Sequence, residues 1–197
     1  MAQADLKAVW DAVGVDTVAG EVVRDSMIAA MENLTAIYGD ISAGVANDWY
    51  TEMRVSAGAS GPTPTVFPEP TSRELVEDTV RHEARFLWDR EKDNVAHGQV
   101  VGKRTYKRAP EKMLDALSTS LDRMVQDQAR WTVTETAAAE TSTSVQWRRV
   151  ARADACGWCK DLAAEGWVWP SQARAEMNLF HDHCKCVVEP LFEPAPF

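Results

Sequence analysis

Val145-Gln146-Trp147-Arg148-Arg149-Val150-Ala151, then Cys156-Gly157-Trp158-Cys159, then His181-Asp182-His183-Cys184-Lys185-Cys186-Val187-Val188 dominate the last part of this 197-residue chain. All four cysteines and two of the four histidines fall in these runs. Thiolates and imidazoles are the preferred ligands of Zn²⁺, and a Cys-x₂-Cys turn offers two sulfurs to one tetrahedral ion. The alternation of apolar and polar residues from Val145 to Ala151 predicts a half-buried strand, and Cys186 to Phe192 predicts a second. Between them, Lys160–Glu165 suits a short helix stopped by Gly166, and Trp167 to Phe180 reads as irregular. Two strands with ligand clusters at their ends make a compact α+β module with a short β-hairpin or ribbon. So small a module has little core of its own, and a structural ion commonly supplies the missing stability.

Six side chains compete for four coordination positions. Cys156 and Cys159 are the firmest pair. Cys184 and Cys186 stand two residues apart in an extended segment, so both fall on one side of it. His181 precedes Cys184 by three residues and reaches the ion from a turn, whereas His183 is the weakest candidate on steric grounds. The candidate metal ligands are therefore Cys156, Cys159, His181, Cys184 and Cys186, with the choice of four left open. Metal is preferred over two disulfides and over unliganded thiols, because no secretory signal is visible at Met1–Lys7. A structural zinc is preferred over a catalytic one, which needs an open position and a general base. Trp158, Trp167 and Trp169 are expected to supply apolar cover around the ion.

Upstream, the pattern is helical. A short helix is expected from Asp5 to about Val13. Asp16 then caps a second one, with apolar positions at Val18, Val22, Met27 or Ile28, Met31, Leu34 and Tyr38. Gly39-Asp40 is read as an interruption, after which Ile41, Val45, Trp49 and Met53 carry a further helix to about Val55. Residues 56–70 hold four prolines and two glycines and read as a linker. Thr71-x-x-Glu74 matches a capping box opening a helix with Leu75, Val76, Val80, Ala84 and Leu87, expected to end near Asp93. Pro110 opens another, where Leu114, Leu117, Leu121, Met124 and Gln128 follow the seam spacing of packed helices. The fold class is thus mainly α: a helical N-terminal body followed by a small zinc-stapled α+β C-terminal module. The expected division is 1–55, an N-terminal helical segment; 56–70, the linker; 71–144, a central helical segment; and 145–197, the Cys/His module.

Composition narrows the function classes. Hydrophobic residues at 45% and charged residues at 26% describe a globular chain rather than a disordered one. No apolar run approaches the roughly 18 residues of a membrane span, so no membrane partner is expected. The net charge of −9 argues against general binding of nucleic acid. Two local basic clusters stand out, Lys103-Arg104 with Lys107-Arg108, and Arg148-Arg149 with Arg152. The plain reading of these is a solvated loop and a strand edge; the sharper one is a contact for a phosphate backbone or an acidic partner. No Gly-x-Ser-x-Gly motif, phosphate loop or dinucleotide fingerprint occurs, and no serine, aspartic or cysteine protease arrangement is visible. No catalytic residue is therefore assigned, and enzymatic activity is not expected.

The run from Trp147-Arg148-Arg149-Val150 through Cys156-Gly157-Trp158-Cys159 to His181-Asp-His-Cys184-Lys-Cys186-Val-Val-Glu-Pro190 resembles the C-terminal signature of phage Mu F-like minor head proteins. In that family a Cys-x₂-Cys is followed by His-x-x-Cys-Arg-Cys and a strand ending in Pro; here Lys185 takes the arginine position. The similarity is greatest to versions from tailed phages of actinobacteria, sometimes labelled capsid maturation protease. It implies a head morphogenesis protein found in the virion, in the capsid interior or at the portal vertex, and assembled in the host cytoplasm. The implied partners are the portal protein, the major capsid or scaffolding protein, and packaged DNA. The alternative carried by the family label is a maturation protease or another metal-dependent hydrolase.

Overall fold

The computed structural model describes residues 1–67, 69–96, 99–153, 155–171 and 186–193. It is mainly helical, with small antiparallel sheets. The helices are α1 (Ala2–Val13), α2 (Gly20–Ser56), α3 (Arg73–Glu83), α4 (Pro110–Ala138) and α5 (Gly157–Ala164). The strands are β1 (Arg90–Ala96), β2 (Gln99–Tyr106), β3 (Ser144–Ala151), β4 (Val168–Trp169) and β5 (Cys186–Glu193). By contact the chain divides into one unit of Met1–Ala43 with Glu69–Ala129 and a second of Gly44–Pro68 with Arg130–Phe197.

The first unit is built on one apolar cluster. Leu6 and Trp10 of α1, Val23, Met27, Met31 and Leu34 of α2, Val76 and Val80 of α3, and Met113, Leu117, Leu121 and Met124 of α4 are all buried together. Their three- and four-residue steps are those of helices that each bury one stripe. Gly14 stops α1 in the left-handed conformation at φ 68°, which costs a glycine nothing. Tyr38 of α2 donates to Asp5, and Gln3 donates to Asp122 of α4 at 2.5 Å, so polar bonds flank the apolar contact.

Two expectations fail here. Gly39-Asp40 does not interrupt the helix, because α2 runs through it as one element of 37 residues. A glycine inside a helix costs only about 1 kcal/mol, too little to break one whose flanks are buried. Its lack of a side chain has a use: a Cβ there would come within 3.1 Å of Cγ of Gln128, whose amide donates to the Glu69 carbonyl and to Thr71 at 3.3 Å. Without a break the phase never resets. Ala43, Ala46 and Tyr50 turn inward, and the expected face of Ile41 and Val45 is exposed, as is Ile37.

The second failure follows α3. The helix does not reach Asp93; it ends at Glu83, tightens into a 3₁₀ turn over Ala84–Leu87, and gives way to an antiparallel hairpin of β1 and β2. Val76, Val80, Ala84 and Leu87 are buried, but Leu75 is exposed. The helical start holds with a shift of one residue, since Ser72 rather than Thr71 is the cap and its hydroxyl accepts from the Leu75 amide at 3.2 Å. Ser72→Ala should lower stability by about 1 kcal/mol. Chemical denaturation would read this as a shifted midpoint at an unchanged slope.

The second unit holds a three-stranded antiparallel sheet in the order β4-β3-β5. Strand β3 is central, pairing Trp147 with Trp169 of β4 and Ser144 through Ala151 with Glu193 back to Cys186 of β5. Both long strands lie where the sequence predicts them, β3 over the alternating stretch and β5 from Cys186. The expected short helix is present as α5 but starts earlier, at Gly157, so that Cys156 becomes its cap residue.

Candidate functional site

The cysteine turn lies where the end of β3 meets the start of α5. Ala155 donates to the Arg152 carbonyl at 2.9 Å, closing a turn that delivers Cys156 to the cap position. Cys156 is exposed and Cys159, in the first helical turn, is fully buried. Residues three apart at a helix start lie on one side of it, which is the spacing a Cys-x₂-Cys ligand pair uses. Ala155 and Cys159 form a small buried cluster against which Ala151 of β3 and Val188 of β5 pack. The strand register sets Cys186 directly opposite Ala151. The first residue of β5 is thereby paired with a residue that itself packs on the Cys159 cluster.

Of the five predicted ligands, Cys156 caps α5 and is exposed, Cys159 lies three residues on and is buried, and Cys186 enters as a paired residue of β5. His181 and Cys184 lie outside the described residues. Among the described residues no group of three or more His, Cys, Asp or Glu side chains is placed to hold a metal ion. The expected apolar cover takes another form: Trp158 and Trp167 are 50% and 58% exposed. Trp167 packs on Trp169 with ring centroids 6.2 Å apart, and the guanidinium of buried Arg149 sits 5.7 Å from the Trp169 ring.

A second polar centre in the same unit had no signal in the sequence. Arg54, near the end of α2, is 1% exposed and donates four hydrogen bonds. They run to Glu140 at 2.6 Å, the Ser60 carbonyl at 2.6 Å, the Gly61 carbonyl at 3.1 Å and the Ser142 hydroxyl at 2.5 Å. Ser142 in turn donates its hydroxyl and its amide to the other Glu140 oxygen, at 2.6 and 2.9 Å. Burial acts to raise the Glu140 carboxyl, but the bonds from Arg54 and Ser142 outweigh it and hold the group below the usual glutamate range. The fork geometry of a guanidinium is what lets one side chain serve a carboxylate and two carbonyls together. In consequence the proline- and glycine-rich stretch is tied at Ser60 and Gly61, a path its composition does not reveal. Arg54 is one of only three basic residues before residue 70, and its partner Glu140 is 86 positions away.

Beside this pair lies Tyr50, fully buried, its ring edge-on to Phe192 of β5 at 5.1 Å. Burial first and the Glu140 charge second push its hydroxyl well above the ordinary tyrosine value, against a smaller opposing effect of Arg54. Among the described residues the hydroxyl has no hydrogen-bond partner. An orphaned buried donor costs about 1–3 kcal/mol. Tyr50→Phe should therefore leave stability unchanged or raise it by up to about 1 kcal/mol, measured as an upward shift in melting temperature. A clear loss would show that the hydroxyl has a partner.

The chain was compared with known proteins. A family model described as VG15 protein matches residues 1–196, which takes in the helical body and the Cys/His module alike. No curated protein and no solved structure matches.

Proposed function

We propose that this chain, which belongs to the VG15 protein family, is a minor head morphogenesis protein of a phage, with a structural zinc site in its C-terminal module. The family suggests a phage-encoded protein; the head role rests further on the Cys-x₂-Cys and His-x-x-Cys-Lys-Cys run and its resemblance to Mu F-like proteins. The observation that carries the reading is the juxtaposition at the cysteine turn. Ala151 packs on the Cys159 cluster and pairs with Cys186, which supports one site drawing on both cysteine pairs.

In this reading the donors fit zinc: two thiolates at a helix start, Cys186 at the start of β5 with Cys184 two positions before it in sequence, and His181 as the competing ligand. The ion would tie the loop between α5 and β5 to the sheet and supply stability that the small module lacks. We assign no catalytic step to it. The proposed partners are the portal protein and the major capsid or scaffolding protein, and the proposed location is the capsid interior or portal vertex. A cryo-EM reconstruction of the portal vertex from the phage that encodes this chain tests the assignment. Density for the chain there is the expected result, and virions lacking the chain altogether would overturn it. Scission of the major capsid protein on incubation with the purified chain would instead favour a protease.

A further inference from the structure

The β1–β2 hairpin distributes its charge unequally between its two faces. In its register Arg90 lies opposite Tyr106 and Lys92 opposite Arg104. Directly opposed residues share a face of an antiparallel pair, and so do positions two apart on one strand. Arg90, Lys92, Arg104 and Tyr106 therefore occupy one face, while Glu91, Thr105 and Lys103 occupy the other. The second face is internally neutralised, with Lys103 3.4 Å from Glu91. The first is not. Among the described residues Arg90, Lys92 and Arg104 enter no ion pair, and all three are exposed. The Arg90 and Arg104 guanidinium carbons instead sit 4.8 and 5.2 Å from the Tyr106 ring centroid.

As a stability device this face is poorly made. Like charges directly opposite destabilise a ladder, and a two-stranded hairpin is marginal in water to begin with. What it does provide is three cations on one side of a narrow ribbon, two of them oriented by a shared aromatic ring. Ordering the guanidinium groups before contact reduces what binding must spend on fixing them.

We propose that this face binds the phosphate backbone of double-stranded DNA. An Arg fork suits a phosphate, which it can grip through two parallel bonds. A two-stranded ribbon also has the dimensions that the major groove admits, so the three cations can meet phosphates along its edge. An acidic protein segment would satisfy the charge but gives no use to the ribbon shape. The contact is local: the chain as a whole carries −9, so binding is weak, sequence-independent and sensitive to salt. The inference deepens the head-protein reading, whose implied partners include packaged DNA, while the observations that carry it are those of the hairpin.

The test is fluorescence anisotropy of a labelled random-sequence duplex titrated with the full chain, repeated over a salt series. Three phosphate contacts predict a slope of log K against log salt of about −2.7. The triple variant Arg90→Gln, Lys92→Gln, Arg104→Gln should bind at least about tenfold more weakly and lose most of the slope, whereas Lys92→Gln alone should reduce it by about one unit. Matched melting curves establish that the variants fold; should the triple variant not, the single variant and its slope decide. Absence of duplex binding by the wild-type chain at low salt would overturn the proposal, as would triple-variant binding equal to wild type. Preferential binding of poly-glutamate over the duplex would also overturn it and assign the face to an acidic protein.

Discussion

Arg54→Ala is expected to destabilise the chain by about 3–5 kcal/mol, the usual cost of leaving a buried charge without its partner. For a protein of this length that corresponds to a fall in melting temperature of roughly 6–20 °C. The effect is large because the change orphans several groups at once: the Glu140 carboxylate and the Ser60 and Gly61 carbonyls each lose a donor. Arg54→Lys should recover little, since an ammonium lacks the planar fork that reaches all of them. The pH dependence adds a readout that simple loss of packing would not move. In the wild type, Glu140 titrates below its ordinary value. Its contribution is therefore complete above the ordinary glutamate pKa, about 4.3, and is lost as pH falls through the lower folded value. Without Arg54 only the two bonds from Ser142 still oppose the burial that acts to raise Glu140, so its carboxyl is held down less and the variant should lose less on acidification. Denaturation midpoints measured from neutral to acid pH should show the gap between the two proteins narrowing. A gap independent of pH would mean that the pair contributes no electrostatic stability.

Cys156→Ser separates a zinc site from ordinary cysteines more cleanly than any other single change. Cys156 is exposed, and a surface substitution away from special features normally shifts stability by no more than about 0.5 kcal/mol. A structural zinc ligand is a different matter, because apparent binding energies for such sites run to about 10–16 kcal/mol. The expected result is loss of bound zinc by elemental analysis, together with a large fall in melting temperature that chelator treatment of the wild type reproduces. Cys159→Ser should lose zinc as well, but its stability change also includes a polar group placed at a fully buried position. Undiminished zinc in both variants would sink the proposed site. Stabilisation that vanishes on reduction but not on chelation would assign the cysteines to disulfides.

Much of the fold could be read from local pattern, and the misreadings share one cause. The seam predicted from Leu114 to Gln128 is buried from Leu117 on, with Leu114 only partly buried beside Met113, the β3 strand is present, and α3 starts one residue from its expected cap, because each is set by a periodicity within a few residues. Gly39 misled because its local cost is small beside the burial on either side of it, and its missing side chain serves Gln128 far along the chain. The hairpin after α3 was missed because residues 90–106 carry charge in place of apolar alternation; no core-facing stripe marks them as strand.

The candidate site divides along the same line. The proposed pairing of Cys156 and Cys159 is read from their spacing alone, since residues three apart at a helix start lie on one side of it. That the end of β3 packs on Ala155 and Cys159 while pairing with the first residue of β5 required the sheet register, which couples residues far apart in sequence. Arg54 and Glu140 are the extreme instance. Each alone is an unremarkable charge in a helical pattern, and only the folding together of α2, the proline-rich stretch and the end of α4 makes them a buried lock. Local spacing declares what a single element can do by itself. Which distant groups share a low-dielectric interior, and so interact strongly, is decided by packing.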